Sequence, residues 1–227
     1  MSSAEEQRIG KEMDADIRKS KKVSTNSAVN SYVSSIGAKL ASGKPFRFTV
    51  LDDPKTVNAF AIPGGYIYIT TGMLKKLDSE SELAAVLGHE IGHITENHIR
   101  ARVRNFTVAR AFVGVLGKLT KKDLHETHAV KIGNYLLMQK FSRKHEYAAD
   151  IAGVRNMVNA GYNPNGMVSL QDKLYSLSKG RLNLEFLNSH PSSKKRRDEV
   201  AQYIVENNLV KPNQIINTSK FKSLVSK

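Results

Sequence analysis

The sequence predicts a mainly helical α+β domain that carries one small β-sheet. Three observations support this fold class. Most of the chain reads as helix, short segments rich in β-branched and aromatic residues fall between residues 46 and 70, and no internal repeat or linker divides the chain. With 227 residues the chain is long enough to bury a substantial core. We therefore expect a single domain over residues 1–227.

The predicted fold begins with helices and continues into the sheet. Residues 4–41 are predicted as helix, in two pieces that break near Val23–Asn26. Three strands are predicted in the region 46–70, at residues 46–51, 56–62 and 66–70. The turn residues Pro63-Gly64-Gly65 separate the last two strands, so these two strands are expected to form a hairpin.

Helices are predicted for the rest of the chain. Ser79 and Glu82 form a capping box that opens a long helix over residues 80–106. A second long helix is expected over residues 123–160. Asn163-Pro164 opens the C-terminal helices within residues 164–207, which are expected at about 164–178 and 193–207.

The composition restricts the chemistry of any site. The chain has no cysteine and seven histidines. Disulfides, thiolate metal sites and thiol nucleophiles are therefore excluded, and a metal ion would have to be held by histidine and carboxylate ligands.

The net charge of +14 raises the question of nucleic-acid binding. The basic residues are spread along the chain, with one tight run at Lys194–Arg197, and no zinc-finger, RNP-type or phosphate-loop motif accompanies them. A solvated basic surface is the favoured interpretation, and we expect no nucleic-acid partner.

No segment has about 20 uninterrupted apolar residues, so no bilayer-spanning helix is predicted. The N-terminus has neither the basic start nor the apolar run of a signal peptide. Val108–Leu119 is the most apolar stretch, and core packing is favoured for it over a peripheral contact with a membrane surface.

The string His89-Glu90-Ile91-Gly92-His93 carries the predicted chemistry. Residues four apart share one helix face, so both imidazoles can reach one cation. Glu90 can contact a metal-associated water without being a ligand itself. Hydrolytic zinc sites use three protein ligands and leave one position open. The alternative is an amphipathic helix whose histidines are incidental.

A third ligand is expected from another element. Glu146 is favoured, because it is paired at a spacing of four with Asp150, so one carboxylate can bind the metal while the other accepts a hydrogen bond from a ligating imidazole. The other histidines on nearby segments are assigned elsewhere. His98 is expected to point roughly away from the pair as a packing or surface residue, and a solvated face is expected for His125 and His128. His145 is expected to face away from the site.

The HExxH string, followed about 50 residues later by Ser142-Arg143-x-x-Glu146-x-x-x-Asp150, resembles the gluzincin metallopeptidases grouped with HtpX and the CAAX prenyl proteases. Three further stretches are similar to that family: the opening EEQRIGKEMDADI, the segment Asn58–Gly72, and His190-Pro191-Ser192 followed by Arg196. Arg197 adjoins Arg196, which leaves the register of this arginine open. The resemblance covers about residues 4–207.

The resemblance implies a zincin-type fold and a function. It implies one Zn²⁺ per chain, bound by His89, His93 and Glu146, with Glu90 as the catalytic base of peptide-bond hydrolysis and Asp150 as the partner of His89. The sheet's edge strand is expected to border the active-site cleft. Substrate would pair with that strand through Asn58, Ala59, Phe60 and Ala61.

Two residues are assigned near the metal by the resemblance alone. His190 is expected to donate to the oxyanion, to bind the zinc's open position as a fourth ligand, or to serve only as a helix-start residue beside Pro191. Arg196 is expected to hold a substrate carbonyl or the carboxylate network.

The expected partners are polypeptides, in particular unfolded or damaged chains, and the oligomeric state stays undefined. The resemblance to soluble envelope members favours the periplasmic side of a bacterial envelope, with the targeting segment absent from this chain. Two rival functions remain. One is a zinc-holding chaperone or adaptor of the same fold that is latent or inactive, and the other is a basic nucleic-acid-binding protein with an accidental HExxH string.

Overall fold

The computed structural model describes residues 2–115, 139–179, 184–191 and 194–225, with the side chains of 108–115 excepted. It is mainly helical with a small three-stranded mixed sheet, which confirms the predicted fold class. None of the helices in these ranges combines the length and the apolar character needed to cross a bilayer.

Two capped helices open the chain. Helix α1 spans Ser3–Ser20, with the Ser2 hydroxyl accepting the N–H of Glu5, and helix α2 spans Ser27–Ala41, with the Asn26 side chain accepting the N–H of Val29. Ser and Asn are preferred at this position because their side-chain oxygens satisfy an N–H that has no partner within the helix. The break between the two helices agrees with the predicted one.

The sheet has the order β1-β3-β2, with β1 at Arg47–Leu51, β2 at Ala59–Ile62 and β3 at Tyr66–Thr70. Strands β2 and β3 form the predicted antiparallel hairpin, whereas β1 runs parallel to β3. The connection Pro63–Gly65 is a 3-10 turn in which Gly64 and Gly65 take positive φ angles of 80° and 82°. Only glycine adopts such angles without steric cost. In the order β1-β3-β2, strand β2 is an edge strand, which pairs with β3 among the described strands.

The predicted helix over residues 80–106 is wrong as a single element. After the short helix α3 (Thr71–Leu74), helix α4 spans Glu80–Thr95 and helix α5 spans His98–Val115. Asn97 separates them with a left-handed φ of 59°. Asparagine tolerates this conformation better than most residues, but no glycine or proline marks the break in the sequence.

The predicted helix over residues 123–160 is wrong as one continuous element. Helix α6 spans Arg143–Asn159, and residues 139–142 before it are not helical. The part of the prediction between residues 123 and 138 lies outside the described residues. Ser142 caps α6 by accepting the N–H of His145, which explains where the helix starts.

Helices α4 and α6 pack closely at a pair of small residues. A Cβ atom on Gly92 would lie 2.5 Å from the carbonyl oxygen of Ala149, and one on Gly88 would lie 3.2 Å from the Cα of Gly153. The absent side chains of the two α4 glycines let the backbones approach. This approach brings the motif of α4 and the carboxylates of α6 to one place.

The C-terminal part is more segmented than predicted. Helix α7 spans Asn165–Ser178 and helix α9 spans Lys194–Glu206, close to the predicted bounds. Two further short helices were not predicted, α8 at Glu185–Ser189 and α10 at Thr218–Val225. The main hydrophobic core lies between the sheet, α2, α4, α6 and α7.

Candidate metal centre

Helix α4 is anchored at its first turn and buried along its length. The Ser79 hydroxyl accepts the N–H of Glu82 at 3.2 Å, and the Glu82 carboxylate accepts the N–H of Asp78 at 2.7 Å. Every residue from Glu80 to His93 is buried. The predicted cap therefore forms, and it fixes the start of a helix with little freedom to move.

Four buried side chains place one potential ligand atom each within 4.8 Å of one another: His89, His93, Glu146 and His190. Helix α4 supplies the first two, the first turn of α6 supplies Glu146, and the residue after α8 supplies His190. All four are at most 2% exposed. Such a group in a dry site is costly unless its members satisfy one another or bind a cation.

The spacing of these atoms fits a zinc ion. The Nε2 atoms of His89 and His93 are 3.0 Å apart, and the Nε2 of His93 lies 3.2 Å from Glu146 Oε1. Tetrahedral zinc with bonds of about 2.0–2.1 Å needs ligand atoms about 3.3 Å apart. Burial lowers the pKa of His93 well below its ordinary value, more than the contact with Glu146 can offset, which favours the neutral imidazole that binds metals. The residues present therefore fit a His, His, carboxylate metal site.

His89 is oriented by a carboxylate on its other side. Its Nδ1 lies 2.8 Å from Asp150 Oδ1, and the Gln171 amide donates to Asp150 Oδ2 at 2.8 Å. Such partners fix the imidazole tautomer and make the ring a better ligand. Gln171 belongs to α7 and was not identified from the sequence.

Arg196 joins the two carboxylates of α6. Its guanidinium forms short contacts with Glu146 and Asp150, donates to Asp150 Oδ1 at 2.9 Å, and donates to the carbonyl of Pro191 at 3.1 Å. Burial alone would raise the pKa of Glu146, but His190, His93 and Arg196 outweigh it and hold that pKa well below its usual range. Of the two expected positions for Arg196, the structure has it in the carboxylate network.

Phe141 contacts one face of the His93 ring, and His98 contacts one edge of it. The Phe141 ring stacks on it with a centroid separation of 3.8 Å, and its Nδ1 lies 3.0 Å from the Nδ1 of His98. The expectation that His98 points away from the pair is wrong. It assumed one continuous helix, and the break at Asn97 turns His98 back towards His93.

The remaining histidines are not among the four converging residues. His145 stacks on His98 with a centroid separation of 4.3 Å. His125 and His128 lie outside the described residues.

Glu90 lies beside the four converging residues and is equally buried. Within the described parts of the chain its Oε1 has no hydrogen-bond partner, and His190 Nε2 is 3.6 Å away. Burial raises the pKa of Glu90, although His190 and His89 act in the opposite direction. The backbone of Ala61 in β2 also acts to lower the pKa of Glu90, so the edge strand lies beside the site as predicted.

His190 is positioned by the short helix α8. Its backbone N–H donates to the carbonyl of Phe186 at 2.9 Å, and its ring stacks on the Phe186 ring at 4.4 Å. The His190 Nδ1 lies 3.0 Å from Glu146 Oε1 and 3.1 Å from His89 Nε2. The ring therefore turns this nitrogen towards the other potential ligand atoms.

The edge strand is partly covered at its start. The N–H of Phe186 donates to the carbonyl of Val57 at 3.2 Å, and the Asn58 amide donates to Glu185 at 3.2 Å. Of the four residues predicted to bind substrate, Asn58, Ala59 and Ala61 are buried and Phe60 is half-buried. Neither Phe186 nor Glu185 was identified from the sequence, because no motif marks a contact between segments so far apart.

A model of "Peptidase family M48" matches residues 20–204. The chain is 34% identical over 160 residues to the "Mitochondrial metalloendopeptidase OMA1" of Arabidopsis thaliana, an alignment that covers 70% of this chain and 32% of the relative. For the protein of that name in Schizosaccharomyces pombe the identity is 34% over 159 residues, 69% of this chain and 46% of the relative.

A bacterial relative matches over more of the chain. The "Beta-barrel assembly-enhancing protease" of Escherichia coli K12 is 26% identical over 212 residues, which cover 86% of this chain and 43% of the relative. The chain thus matches less than half the length of each of these three relatives.

Proposed function

This chain belongs to peptidase family M48, and from that premise we propose that it is a zinc-dependent endopeptidase with one Zn²⁺ per chain, held by His89, His93 and Glu146. The observation that carries the proposal is the convergence of these three buried side chains next to a carboxylate, Glu90, with an oxygen that has no described partner.

Each residue has a defined task in this proposal. Zinc bound to these ligands supplies Lewis acidity, which acidifies a water molecule and polarises the scissile carbonyl. Glu90 accepts the proton of the attacking water at Oε1 and later delivers it to the leaving nitrogen. Asp150 holds His89 in the tautomer whose Nε2 faces the metal, and Arg196 keeps both α6 carboxylates ionised and in place.

The proposed substrates are extended polypeptides. A substrate strand pairs with β2 along Asn58–Ala61 through backbone hydrogen bonds, which read extension more than side-chain identity. Unfolded or damaged chains meet that requirement. The influence of the Ala61 backbone on the pKa of Glu90 supports this arrangement, because it indicates that the strand that would bind substrate lies beside the proposed base.

The proposed compartment is the periplasmic side of a bacterial envelope. Its support is the bacterial relative that is named a β-barrel assembly-enhancing protease and aligns with most of this chain. A mitochondrial compartment is the alternative, since other relatives are named mitochondrial.

A second candidate function is a latent, zinc-holding form of the same fold. The observation that favours it is the position of the His190 Nδ1 among the potential ligand atoms, where it competes for the fourth metal position. The latent form keeps zinc and cleaves slowly.

The test compares the wild type with Glu90→Gln and His93→Ala. We expect about one zinc per chain in the wild type and in Glu90→Gln, and cleavage of unfolded casein by the wild type alone, abolished by a chelator. His93→Ala is expected to lose both metal and activity. Stoichiometric zinc in His93→Ala would refute the ligand assignment, and casein cleavage by Glu90→Gln at the wild-type rate would refute the proposed base.

A further inference from the structure

His98 lies against the Nδ1 side of the His93 ring because the helix is interrupted at Asn97, between α4 and α5. In a continuous helix, residues five apart point in directions that differ by about 140°. The left-handed Asn97 ends that geometry, and the N–H of Ala101 bonds to the Asn97 carbonyl at 2.9 Å as α5 begins. His98 is therefore the first residue of a new helix.

The contact between the His93 and His98 rings has a definite donor and acceptor when a metal is bound. It joins the two Nδ1 atoms at 3.0 Å, and both side chains are buried. The Nε2 of His93 faces His89 and Glu146, so a metal bound there leaves Nδ1 as the protonated nitrogen of the ring. That N–H can donate only to a neighbour that accepts.

We propose that His98 is a positioning residue of the metal centre: its Nδ1 accepts the Nδ1–H of His93 and thereby fixes the tautomer and ring direction that aim Nε2 at the metal. This inference rests on the metal site of the proposed function. It assigns to His98 the task that Asp150 performs for His89, with a neutral imidazole in place of a carboxylate.

Stacking alone does not fix the direction of the His93 ring. Phe141 packs on its face with an interplanar angle of 19°, which holds the ring plane but not the orientation of the ring within it. Among the described residues, His98 is the only hydrogen-bond partner of the His93 Nδ1. Loss of this acceptor leaves a buried N–H unsatisfied in the orientation that binds the metal.

His98 also lines a cavity, and another residue of the cavity wall provides a control. This cavity has a volume of about 550 Å³, and its wall includes His98, Arg104, Lys144 and His145. His145 stacks on His98 and has no described hydrogen bond to His93. His145→Ala therefore changes the packing of His98 without removing the acceptor.

The test uses two substitutions of similar size. In His98→Asn the Oδ1 atom takes the place of Nδ1 and keeps an acceptor, whereas His98→Leu removes it. We expect the zinc Kd, measured by competition with a chromogenic chelator, to rise roughly 10–100-fold in His98→Leu. His98→Asn and His145→Ala should stay within about threefold of the wild type, below the range that loss of such a partner produces.

Cobalt substitution gives a second readout that does not depend on activity. The visible spectrum of the Co²⁺-loaded chain should change in His98→Leu and keep the wild-type form in His98→Asn. Thermal unfolding of the metal-free chains checks folding, and if His98→Leu does not fold, His98→Met replaces it with the same expected loss of affinity.

Two outcomes contradict the inference. Equal zinc affinity in the wild type and in the variant without an acceptor would overturn it. An equal loss in His145→Ala would overturn it too, because packing and not the acceptor would then control affinity. If the wild type itself bound no zinc, the proposed function would fail first, whereas a zinc-binding wild type with an unaffected His98→Leu would refute only the role of His98.

Discussion

His190 is the residue whose position bears most directly on the resting state of the site. Its Nδ1 lies within 3.1 Å of both Glu146 Oε1 and His89 Nε2, while its Nε2 is 3.6 Å from Glu90. A donor to the oxyanion would need an N–H directed at the substrate carbonyl. A nitrogen among the ligand atoms instead suits a fourth ligand that occupies the position required by water.

We therefore predict that His190→Ala raises basal cleavage of unfolded casein severalfold. Removing a group that blocks the fourth position frees it for water, whereas removing a transition-state donor lowers kcat. Steady-state kinetics on zinc-loaded protein distinguishes the two. The neighbouring Ser189→Ala serves as the control, because the Ser189 hydroxyl contacts only the Phe186 carbonyl, at 3.4 Å, among the described groups. A lower kcat would assign His190 to the oxyanion, and unchanged kinetics would leave it a structural role.

Among individual residues, those that could be predicted from the sequence are the ones paired at a helical spacing. His89 and His93 are one helical turn apart, as are Glu146 and Asp150, so each pair lies on one face whatever the rest of the chain does. His98 and Gln171 escaped detection for different reasons. The direction of His98 depends on a helix break, and Gln171 reaches Asp150 from a separate helix with no pattern of its own.

Among the elements, the close packing of α4 on α6 determines whether the ligands can meet. Their contact passes through Gly92, where a Cβ atom would lie 2.5 Å from the Ala149 carbonyl and 2.9 Å from its Cα. Both neighbours are backbone atoms, which cannot move without shifting α6. Gly88 is less restricted, since its Cβ would lie 3.2 Å from the nearest atom.

Gly92→Ala is predicted to lower the free energy of unfolding by about 1–3 kcal/mol, because overpacking outweighs the better helix propensity of alanine. It should also weaken zinc binding by moving His93 relative to Glu146. Gly88→Ala, on the same helix face, should cost less on both measures. Urea unfolding and chelator titration of the two variants provide the comparison, and a Gly92→Ala chain as stable as the wild type would contradict the prediction.

Helix ends were harder to predict than helices. Ser79 and the hairpin turn Pro63–Gly65 have strong local preferences and were found from the sequence. The break at Asn97 has none, because an asparagine inside an otherwise helical pattern does not reveal a left-handed backbone. The short helices α8 and α10 are held by contacts with distant segments, which a local pattern cannot show.

Across the whole molecule, the C-terminal segment supports the start of the motif helix. The backbone N–H groups of Glu80 and Ser81 donate to the carbonyls of Asn217 and Ile216 at 3.4 and 3.2 Å. The buried Glu80 carboxylate accepts from Tyr32, Tyr162 and Asn217. One carboxylate thus connects α2, α4, the segment after α6 and the segment before α10.

Ionisation of the Glu80 carboxylate should make a pH-dependent contribution to the free energy of unfolding. Burial would raise the pKa of Glu80, but the hydrogen bonds from Tyr32, Tyr162 and Asn217 outweigh it and lower the pKa. A depressed pKa means that the stabilisation is present above the unfolded-state value of about 4.3 and is lost as pH falls through the folded-state value. Glu80→Gln should therefore lower the free energy of unfolding by about 1–3 kcal/mol at neutral pH.

The difference between the wild type and Glu80→Gln should shrink as pH falls below the unfolded-state value of about 4.3. It should be lost once pH has fallen through the lower folded-state pKa, where the wild-type carboxylate is protonated as well. Unfolding in urea at several pH values measures it. A difference that stayed constant from neutral to acid pH would show that ionisation of Glu80 contributes nothing to stability.

Helix α8 covers the segment just before strand β2 through the hydrogen bond from Phe186 to Val57. A polypeptide whose backbone pairing extends beyond the strand to Val57 needs this bond to open, and its apparent affinity is then reduced by the fraction of molecules in which the bond is open. If one molecule in about a hundred is open, every substrate that pairs at Val57 binds about 100-fold more weakly, whatever its sequence. The ratio of affinities between two substrates is unchanged. Opening of α8 would thus change the overall extent of proteolysis without altering which chains are preferred.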